Sequence, residues 1–134
     1  VALLYFDLDG FKLVNDQLGH ECGDRLLQAA AKRVKALVRE EDTVARLGGD
    51  EFGIILESLS RPADAAPTAG KLLRALSRPF FFGGQQARVT ASVGITVYPS
   101  DGDSAGILLE RADRAMYRAK RGGGGEYRFR RAPR

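Results

Sequence analysis

The order of elements along the chain predicts an α+β fold in which helices flank a central, mostly antiparallel sheet. Apolar runs alternate with amphipathic helical segments, and the opening apolar run is too short for a typical helix. Two β-type runs are joined by a glycine turn, which indicates a hairpin. The resulting order is strand, helix, strand, strand, helix, strand with further elements, which is typical of ferredoxin-like and palm-type sheets.

The first third of the chain predicts one strand and two helices. Residues 1–8 form a continuous apolar run, typical of a buried central strand, with Asp7 and Asp9 at its C-terminal end. A short helix is expected over 11–18, and a longer amphipathic helix over about 24–39. Three basic residues are expected to face away from the apolar side of the longer helix, namely Lys32, Arg33 and Lys35.

The middle of the chain predicts a hairpin and a third helix. Residues 43–47 and 51–56 are β-type runs, expected to be antiparallel neighbours. Between them, Gly48 and Gly49 suit a tight turn because both can take positive φ. Residues 61–67 are rich in Ala and Pro and predict a loop or the ragged start of a helix that Pro79 ends.

The last third predicts a strand, a helix and a final strand. Residues 86–98 are rich in Val and Thr and predict one strand. Ser104 can cap a fourth helix, which the four glycines at 122–125 end. Residues 127–129 can supply the last strand.

Composition indicates one soluble domain. The chain has 134 residues, of which 44% are hydrophobic and 28% charged, so a packed core is expected. The lone Cys22 cannot form an intramolecular disulfide, and no apolar run approaches the roughly 18 residues of a membrane span. We therefore expect a cytoplasmic domain without direct membrane insertion. Because the chain begins in an apolar run without Met, we also expect it to be part of a longer protein.

The charge is unevenly distributed. The net charge is +4, but residues 111–134 carry nine basic and two acidic residues, whereas residues 1–110 carry twelve basic and fifteen acidic ones. A basic tail on an acidic body is a weak signal for nucleic-acid binding, and no basic strand interleaved with aromatic residues supports it. We expect no nucleic-acid partner, and salt-sensitive binding to arbitrary DNA would revive that alternative.

Acidic residues from distant segments should meet in the predicted sheet. If the first and third strands are antiparallel neighbours, Asp7 lies beside Asp50 and Glu51. Three carboxylates repel one another unless a cation sits among them or one is protonated. Oxygen ligands without His or Cys favour Mg²⁺ or Mn²⁺, which commonly share substrate phosphates, so phosphoryl transfer is the expected chemistry. Asp9 is expected to be a solvated turn residue.

The stretch from Arg46 to Phe52 resembles the signature of the GGDEF family, the diguanylate cyclases, with Gly48-Gly49-Asp50-Glu51-Phe52 matching in full. Other segments match in order, namely Phe6-Asp7-Leu8-Asp9, Phe11-Lys12, Asn15-Asp16, Gly19-His20, Gly23-Asp24, Ser92-Val93-Gly94, Ala112-Asp113, Met116-Tyr117 and Ala119-Lys120. The resemblance implies a palm-type nucleotidyl cyclase fold over residues 1–134, without the family's usual N-terminal helix.

The resemblance implies an activity as well. The family condenses two GTP into cyclic di-GMP and two pyrophosphates in a homodimer, with two Mg²⁺ or Mn²⁺ ions per site. The implied metal positions are Asp7, the Leu8 carbonyl, Asp50 and Glu51. The implied catalytic residues are Asp50, Glu51 and Lys12, and the sequence leaves open whether Asp50 or Glu51 is the base.

The remaining implied positions bind substrate or product. The substrate-binding set is Phe11, Lys12, Asn15, Asp24, Gly48, Gly49 and Lys120. Asn15 and Asp24 would read guanine, although Asp24 could instead cap a helix and the two lysines could be ordinary surface residues. Arg39 and Asp42 have the spacing of the family's inhibitory product site. We expect this site to bind cyclic di-GMP with micromolar affinity, although an Arg and an Asp three residues apart usually form a solvated pair.

One departure bears on activity, because Gly124 stands where a phosphate-contacting Arg is expected. Arg121 or Arg118 could substitute for it. The chain is most similar to GGDEF domains of GGDEF-EAL tandem proteins, which implies a sensor domain upstream and an EAL phosphodiesterase domain downstream. The alternative function is therefore a catalytically weak or inactive module that binds GTP or cyclic di-GMP and regulates an adjacent EAL domain.

Overall fold

The computed structural model describes residues 1–131, so residues 132–134 of the basic tail lie outside the description. In chain order the elements are β1 (Ala2–Asp9), α1 (Phe11–Leu18), α2 (His20–Lys35), β2 (Thr43–Gly48), β3 (Glu51–Leu56), a 3-10 turn (Pro62–Asp64), α3 (Ala65–Ser77), β4 (Phe80–Phe82), β5 (Gln85–Ala87), β6 (Thr90–Val97), α4 (Ala105–Arg121) and β7 (Tyr127–Phe129). The main sheet has the order β2-β3-β1-β6-β7, and its pairs are antiparallel except β6 with β7. The predicted fold class is confirmed. In the described chain, every helix falls short of the length or hydropathy that crossing a membrane requires.

Strand β1 occupies the centre of the sheet, between β3 and β6. Its even-numbered side chains, from Ala2 to Leu8, are buried in the main core with apolar residues of α2 and α3. Successive side chains of a strand point to opposite faces, so Tyr5, Asp7 and Asp9 share the other face. The central position of β1 explains its apolar run, and the alternation explains why Asp7 and Asp9 lie outside the hydrophobic core cluster.

Helix α4 lies against β6 and β1. Ser104 caps it as predicted, because its Oγ accepts a hydrogen bond from the Ile107 backbone N–H at 3.3 Å. The helix approaches β6 closely at Gly94, where a Cβ would lie 1.9 Å from the Ala112 carbonyl oxygen. Glycine at this position therefore lets α4 settle on the sheet, and the last turn of α4 then reaches the end of β1 through Lys120.

Helix α2 begins at His20 and ends at Lys35, so the predicted range of 24–39 is shifted by one turn. Asp24 is consequently an interior helical residue, and the alternative that it caps the helix is wrong. Gly23 lies buried within the helix, where its missing side chain leaves room for α1. Packing between the two helices thus overrides the usual low helix propensity of glycine.

The expectation that Arg33 faces away from the protein is also wrong. Its guanidinium donates to the carbonyls of Ala75, Arg78 and Pro79 at 2.9, 2.7 and 2.7 Å. It also lies 3.6 Å above the centre of the Phe80 ring. A long Arg side chain can reach carbonyl groups left free where α3 ends, which fastens α2 to that end.

The predicted strand over 86–98 is two strands in different sheets. β5 pairs with β4, a strand that the sequence did not predict, and the two form a separate hairpin. Gly83 and Gly84 both have positive φ in the turn, +53° and +85°, as tight hairpins require. The chain enters the main sheet only at Thr90.

Candidate active site

The C-terminal end of β1 meets the start of β3, as the sheet topology predicts. Asp7 pairs in register with Glu51, and Asp50 directly precedes Glu51 in the turn. β1 continues beyond this pair, so Leu8 and Asp9 have register partners in β6 but none in β3. The four residues expected to hold metal therefore share one end of the sheet, with the Leu8 backbone flanked by a strand on one side only.

The turn between β2 and β3 differs from the predicted hairpin. Gly48 pairs with Glu51, so the two central residues are Gly49 and Asp50. Of the two glycines only Gly49 has positive φ, +39°, so the prediction of positive φ at both is wrong. Arg46 Nε donates to the Gly49 carbonyl at 2.8 Å and holds the turn.

Gly48 has space for a side chain. A Cβ at this position would have no atom within 4 Å, and its φ lies outside the left-handed region. The backbone conformation therefore does not require glycine at position 48. The open space beside the backbone suits the close approach of a ligand, which is the role the family resemblance implies.

Lys120 joins the two acids of β1. Its Nζ lies 2.9 Å from Asp7 Oδ2 and 3.5 Å from Asp9 Oδ1. Burial raises the pKa of Asp7, which is only 8% exposed, and it outweighs the opposing effect of Lys120. Burial also disfavours the charge on Lys120, but its hydrogen bonds and ion pairs with the two acids prevail and raise its pKa. Asp7 is thus a buried acid whose negative charge Lys120 partly offsets.

Asp9 is not the solvated turn residue that the sequence predicted. It accepts hydrogen bonds from Thr90 Oγ1 and Ser92 Oγ, each at 2.8 Å, and from the Gly125 backbone N–H at 3.0 Å. Its partners stand 81 residues or more away in sequence, so no local pattern could reveal them. Asp9 ties β1 to β6 and to the glycine turn after α4, next to Lys120.

Tyr5 is a site residue that the sequence interpretation missed. Its hydroxyl donates to Glu51 Oε2 at 2.5 Å. Burial raises the pKa of the Tyr5 phenol, and the hydrogen bond and negative charge of Glu51 add to that effect. The period-two alternation of β1 already places residue 5 on the face of Asp7, which is the signal that could have found it.

One oxygen at this site is suited to a metal ion. Asp7 Oδ1 is buried and has no hydrogen-bond partner within residues 1–131. A hard divalent cation satisfies such an oxygen, whereas leaving it unpaired is costly. No three carboxylate, imidazole or thiol groups of the described residues form a ready-made metal cluster, and Glu51 is held by Tyr5 and Asp9 by Thr90 and Ser92. The residues fit a cation that Asp7 binds together with other oxygen ligands, such as substrate phosphates.

The residues expected to read guanine lie where α1 meets α2. Asn15 Oδ1 is also buried without a hydrogen-bond partner in the described chain. A Cβ added at Gly23 would lie 1.8 Å from this oxygen and 3.3 Å from the Phe11 ring, so Phe11, Asn15 and Gly23 converge. Asp24 follows directly and is exposed. Asn15 and Asp24 can thus present polar groups to one ligand edge, whereas Lys12 is exposed and no hydrogen bond or ion pair joins it to them.

Gly124, the departure from the family pattern, lies against Asp9. It has φ +76°, and a Cβ there would lie 2.8 Å from Asp9 Oδ2. The two arginines expected to substitute have other partners. Arg118 donates to the carbonyls of Phe129 and Arg130, and Arg121 lies 5.9 Å from the centre of the Tyr117 ring. Neither touches the acids of β1.

The expected product site is a turn between α2 and β2. Asp42 Oδ2 accepts from the Arg39 backbone N–H and Oδ1 from the Glu57 backbone N–H, both at 3.0 Å. The Arg39 guanidinium is exposed and only approaches Glu41 at 4.0 Å. Asp42 therefore shapes the turn, and Arg39 alone projects a largely free charge.

Comparison with known proteins identifies relatives of this chain. The family model for "Diguanylate cyclase, GGDEF domain" matches residues 1–126. The bifunctional diguanylate cyclase/cyclic di-GMP phosphodiesterase MucR of Pseudomonas aeruginosa is 49% identical over 128 residues, which are 96% of this chain and 18% of MucR. The diguanylate cyclase TpbB of the same species is 41% identical over 130 residues, which are 96% of this chain and 30% of TpbB.

A solved structure agrees with these relatives. The structure of an EAL/GGDEF domain protein from M. capsulatus superposes with a TM-score of 0.91 at 47% identity, covering 98% of this chain and 84% of that one. The chain spans less than a third of the length of MucR or TpbB. The match to the family model over nearly the whole chain, together with these identities, shows that the chain belongs to the GGDEF family of diguanylate cyclase domains.

Proposed function

We propose that this domain condenses two GTP into cyclic di-GMP and two pyrophosphates, as a homodimer that requires Mg²⁺ or Mn²⁺. One observation carries the proposal. The buried side-chain oxygens without a hydrogen-bond partner in residues 1–131 are Asp7 Oδ1 and Asn15 Oδ1. They stand at the position expected to hold metal and at the position expected to read guanine. Unpaired buried oxygens are costly, so their presence at both positions favours a ligand with a cation and a donor edge.

The chemistry assigned to the site is a nucleotidyl transfer. The 3′-hydroxyl oxygen of one GTP forms a bond to the α-phosphorus of the other, and the bond between that phosphorus and the bridging oxygen breaks to release pyrophosphate. Asp50 or Glu51 accepts the hydroxyl proton. Two divalent cations, held by Asp7, the Leu8 carbonyl, Asp50 and Glu51, would supply charge neutralisation and polarise the phosphates.

The side chains around the reacting atoms have separate tasks. Lys120 pairs with Asp7 and Asp9 and can turn its ammonium toward the triphosphate. Lys12 supplies a second mobile positive charge from α1. Phe11 packs beside Asn15, and Asn15 with Asp24 selects guanine, because a carboxylate can accept from the guanine N1 and N2 hydrogens. Gly48 and Gly49 leave the backbone open to the nucleotide.

A product-binding role for the turn between α2 and β2 depends mainly on Arg39. Both carboxylate oxygens of Asp42 already accept backbone N–H groups, so Asp42 keeps less capacity for cyclic di-GMP. We expect micromolar binding that Arg39→Ala weakens about tenfold, since one charge-assisted contact is lost. Calorimetry with cyclic di-GMP measures this directly, and unchanged affinity in Arg39→Ala removes the product site.

A second function is favoured by the residues at the glycine turn. Gly124 supplies no phosphate contact, and Arg118 and Arg121 have other partners. The relative MucR is named a bifunctional cyclase and phosphodiesterase. In this alternative the domain binds GTP or cyclic di-GMP but has weak or no catalytic activity, and it regulates an EAL domain downstream. It would lie after a sensor domain, in a cytoplasmic part of a longer protein.

The test is to incubate the longer parent protein with GTP and Mg²⁺ and to measure cyclic di-GMP. The proposal expects product from the wild type, none from Asp50→Ala or Glu51→Ala, and unchanged product from Asp103→Ala, an exposed acid outside the site. GTP binding by calorimetry without any product establishes the regulator instead. Product formation that survives in Asp50→Ala contradicts the site assignment.

A further inference from the structure

A cluster of arginines lies on the side of α4 away from the acids of β1. Arg111, Arg114, Arg118 and Arg130 line an open cavity of about 190 Å³. At 100° per residue, the three arginines on α4 fall within about 60° of the helix circumference, and Lys120 lies about 180° from Arg111. The cavity is therefore separate from the candidate active site, and nothing in the proposed reaction uses it.

Hydrogen bonds to backbone carbonyls hold two of the guanidinium groups, those of Arg111 and Arg118, in place. Arg111 Nη1 donates to the Asp101 carbonyl at 2.6 Å, and Arg118 Nη2 donates to the carbonyls of Phe129 and Arg130 at 3.2 and 3.3 Å. Arg114 Nη2 pairs with Glu110 at 2.9 Å. Each guanidinium has five N–H donors, so most donors stay free while the groups are already oriented. Preorganised groups lose less entropy when they bind a ligand.

The cluster is poorly neutralised. Glu110 is the acid that pairs with a cavity arginine, and it is exposed. The nearby Asp101 accepts from the Val97 backbone N–H and pairs with Arg131, which does not line the cavity. Four positive charges against one acid leave a surplus of about three at one concave site, which favours a polyvalent anion.

We propose that this cavity binds a small anion with two or more linked phosphates, such as inorganic pyrophosphate, triphosphate or the phosphate chain of a nucleotide. Guanidinium groups match phosphate oxygens in pairs, and all four residues that line the cavity are arginines. A concave site of this size also suits a compact ligand better than a long polymer. The inference is independent of cyclase activity.

The test is calorimetry with inorganic triphosphate in the presence of EDTA, so that no metal-dependent turnover occurs. Arg114→Gln is expected to weaken binding by about tenfold or more, through loss of a charge-assisted contact. The matched control is Arg25→Gln, which removes the same charge from an exposed arginine on α2 that pairs with Glu21 as Arg114 pairs with Glu110, and that does not line the cavity. It is expected to leave the affinity within about twofold, because a distant exposed charge is screened.

A variant with increased affinity provides a further test, because misfolding can weaken binding but cannot strengthen it. Glu110→Gln frees Arg114 from its acidic partner and is expected to tighten triphosphate binding on the order of threefold. Parallel titrations of the wild type and Arg114→Gln with GTP and with pyrophosphate distinguish the phosphate chain of a nucleotide from the free anion, and a loss of affinity in Arg114→Gln for either ligand supports the site. The proposal is overturned if Arg114→Gln and Arg25→Gln weaken binding equally, or if Lys120→Gln alone abolishes it. It also fails if triphosphate does not bind at millimolar concentration, or if a short DNA strand binds more tightly than triphosphate at physiological salt.

Discussion

Asp7 and Asp42 both stand in motifs of the family, yet the fold uses the two carboxylates differently. Asp7 keeps one buried oxygen without a hydrogen-bond partner, and its other oxygen meets Lys120. Both oxygens of Asp42 accept backbone N–H groups, from Arg39 and Glu57. The first carboxylate has capacity for a ligand, whereas the second holds a turn.

The difference arises from the surroundings of each acid. Asp7 lies on the central strand, where pairing with β3 and β6 already uses the neighbouring backbone donors. Asp42 lies outside the regular elements, just before β2, where backbone N–H groups have no strand or helix partner and turn to the side chain instead. Asp7 is therefore a better candidate for ligand binding than Asp42.

The largest expected effect comes from making the same substitution at both acids. Asp7→Asn should lower cyclic di-GMP formation by roughly a hundredfold or more, because it removes the carboxylate charge expected to hold the divalent cation. Asp42→Asn should leave the rate within about twofold, since it lies outside the reacting centre. Initial rates with GTP and Mg²⁺ measure both. Equal losses of initial rate in the two variants would contradict the different roles assigned to Asp7 and Asp42.

A second prediction concerns Asn15 Oδ1, the other buried oxygen without a hydrogen-bond partner in the described residues. In Gly23→Ala the new Cβ would lie 1.8 Å from Asn15 Oδ1, so Asn15 must move. GTP affinity should fall about tenfold or more if Asn15 reads guanine, because a buried hydrogen bond is lost. The matched control is Gly106→Ala, where a Cβ has open space within α4. Calorimetric GTP binding that is equal in both variants rules out this role for Asn15.

A third prediction tests the structural role of Asp42. Asp42→Ala should lower the free energy of unfolding by about 1 to 2 kcal/mol, since two backbone N–H groups lose their acceptor. Glu40→Ala, at an exposed residue two positions earlier, should change it by less than about 0.5 kcal/mol. Urea denaturation measures both, and a neutral Asp42→Ala would show that the turn does not depend on this carboxylate.

The smallest predicted change separates binding from folding at the β2–β3 turn. Gly48→Ala should leave the free energy of unfolding within about 0.5 kcal/mol, because its Cβ meets no atom within 4 Å. The same methyl group should raise the KM for GTP if the nucleotide passes close to this backbone. An unchanged KM would show that the nucleotide does not pass close to Gly48. The control is Gly94→Ala, which should lower the free energy of unfolding because its Cβ would meet the Ala112 carbonyl.

Several parts of this architecture could be predicted from sequence because their causes are local. The bounds of α1 and β3, the Ser104 cap and the meeting of Asp7 with Glu51 follow from apolar periodicity, a capping hydroxyl and strand order. The start of α2 could not be predicted, because Gly23 is helical only through its packing on α1.

The errors at the site have a similar cause. Asp9 depends on Thr90, Ser92 and Gly125, which the sheet brings from the other end of the chain. Tyr5 contacts Glu51 on the neighbouring strand, 46 residues away in sequence. Residue type and spacing identify the acids of a site, but the partners that orient them come from tertiary contacts.

The central claim is that the end of β1 and the α1–α2 junction bind one guanine nucleotide with its cation. The most direct measurement is a crystal structure with a non-hydrolysable GTP analogue and Mg²⁺. We predict Asp7 Oδ1 about 2.1 Å from the cation, Asn15 within hydrogen-bond distance of guanine, and Lys120 turned from Asp7 to a phosphate oxygen. A nucleotide bound elsewhere, with Asp7 still paired to Lys120 and its second oxygen free, would contradict the account.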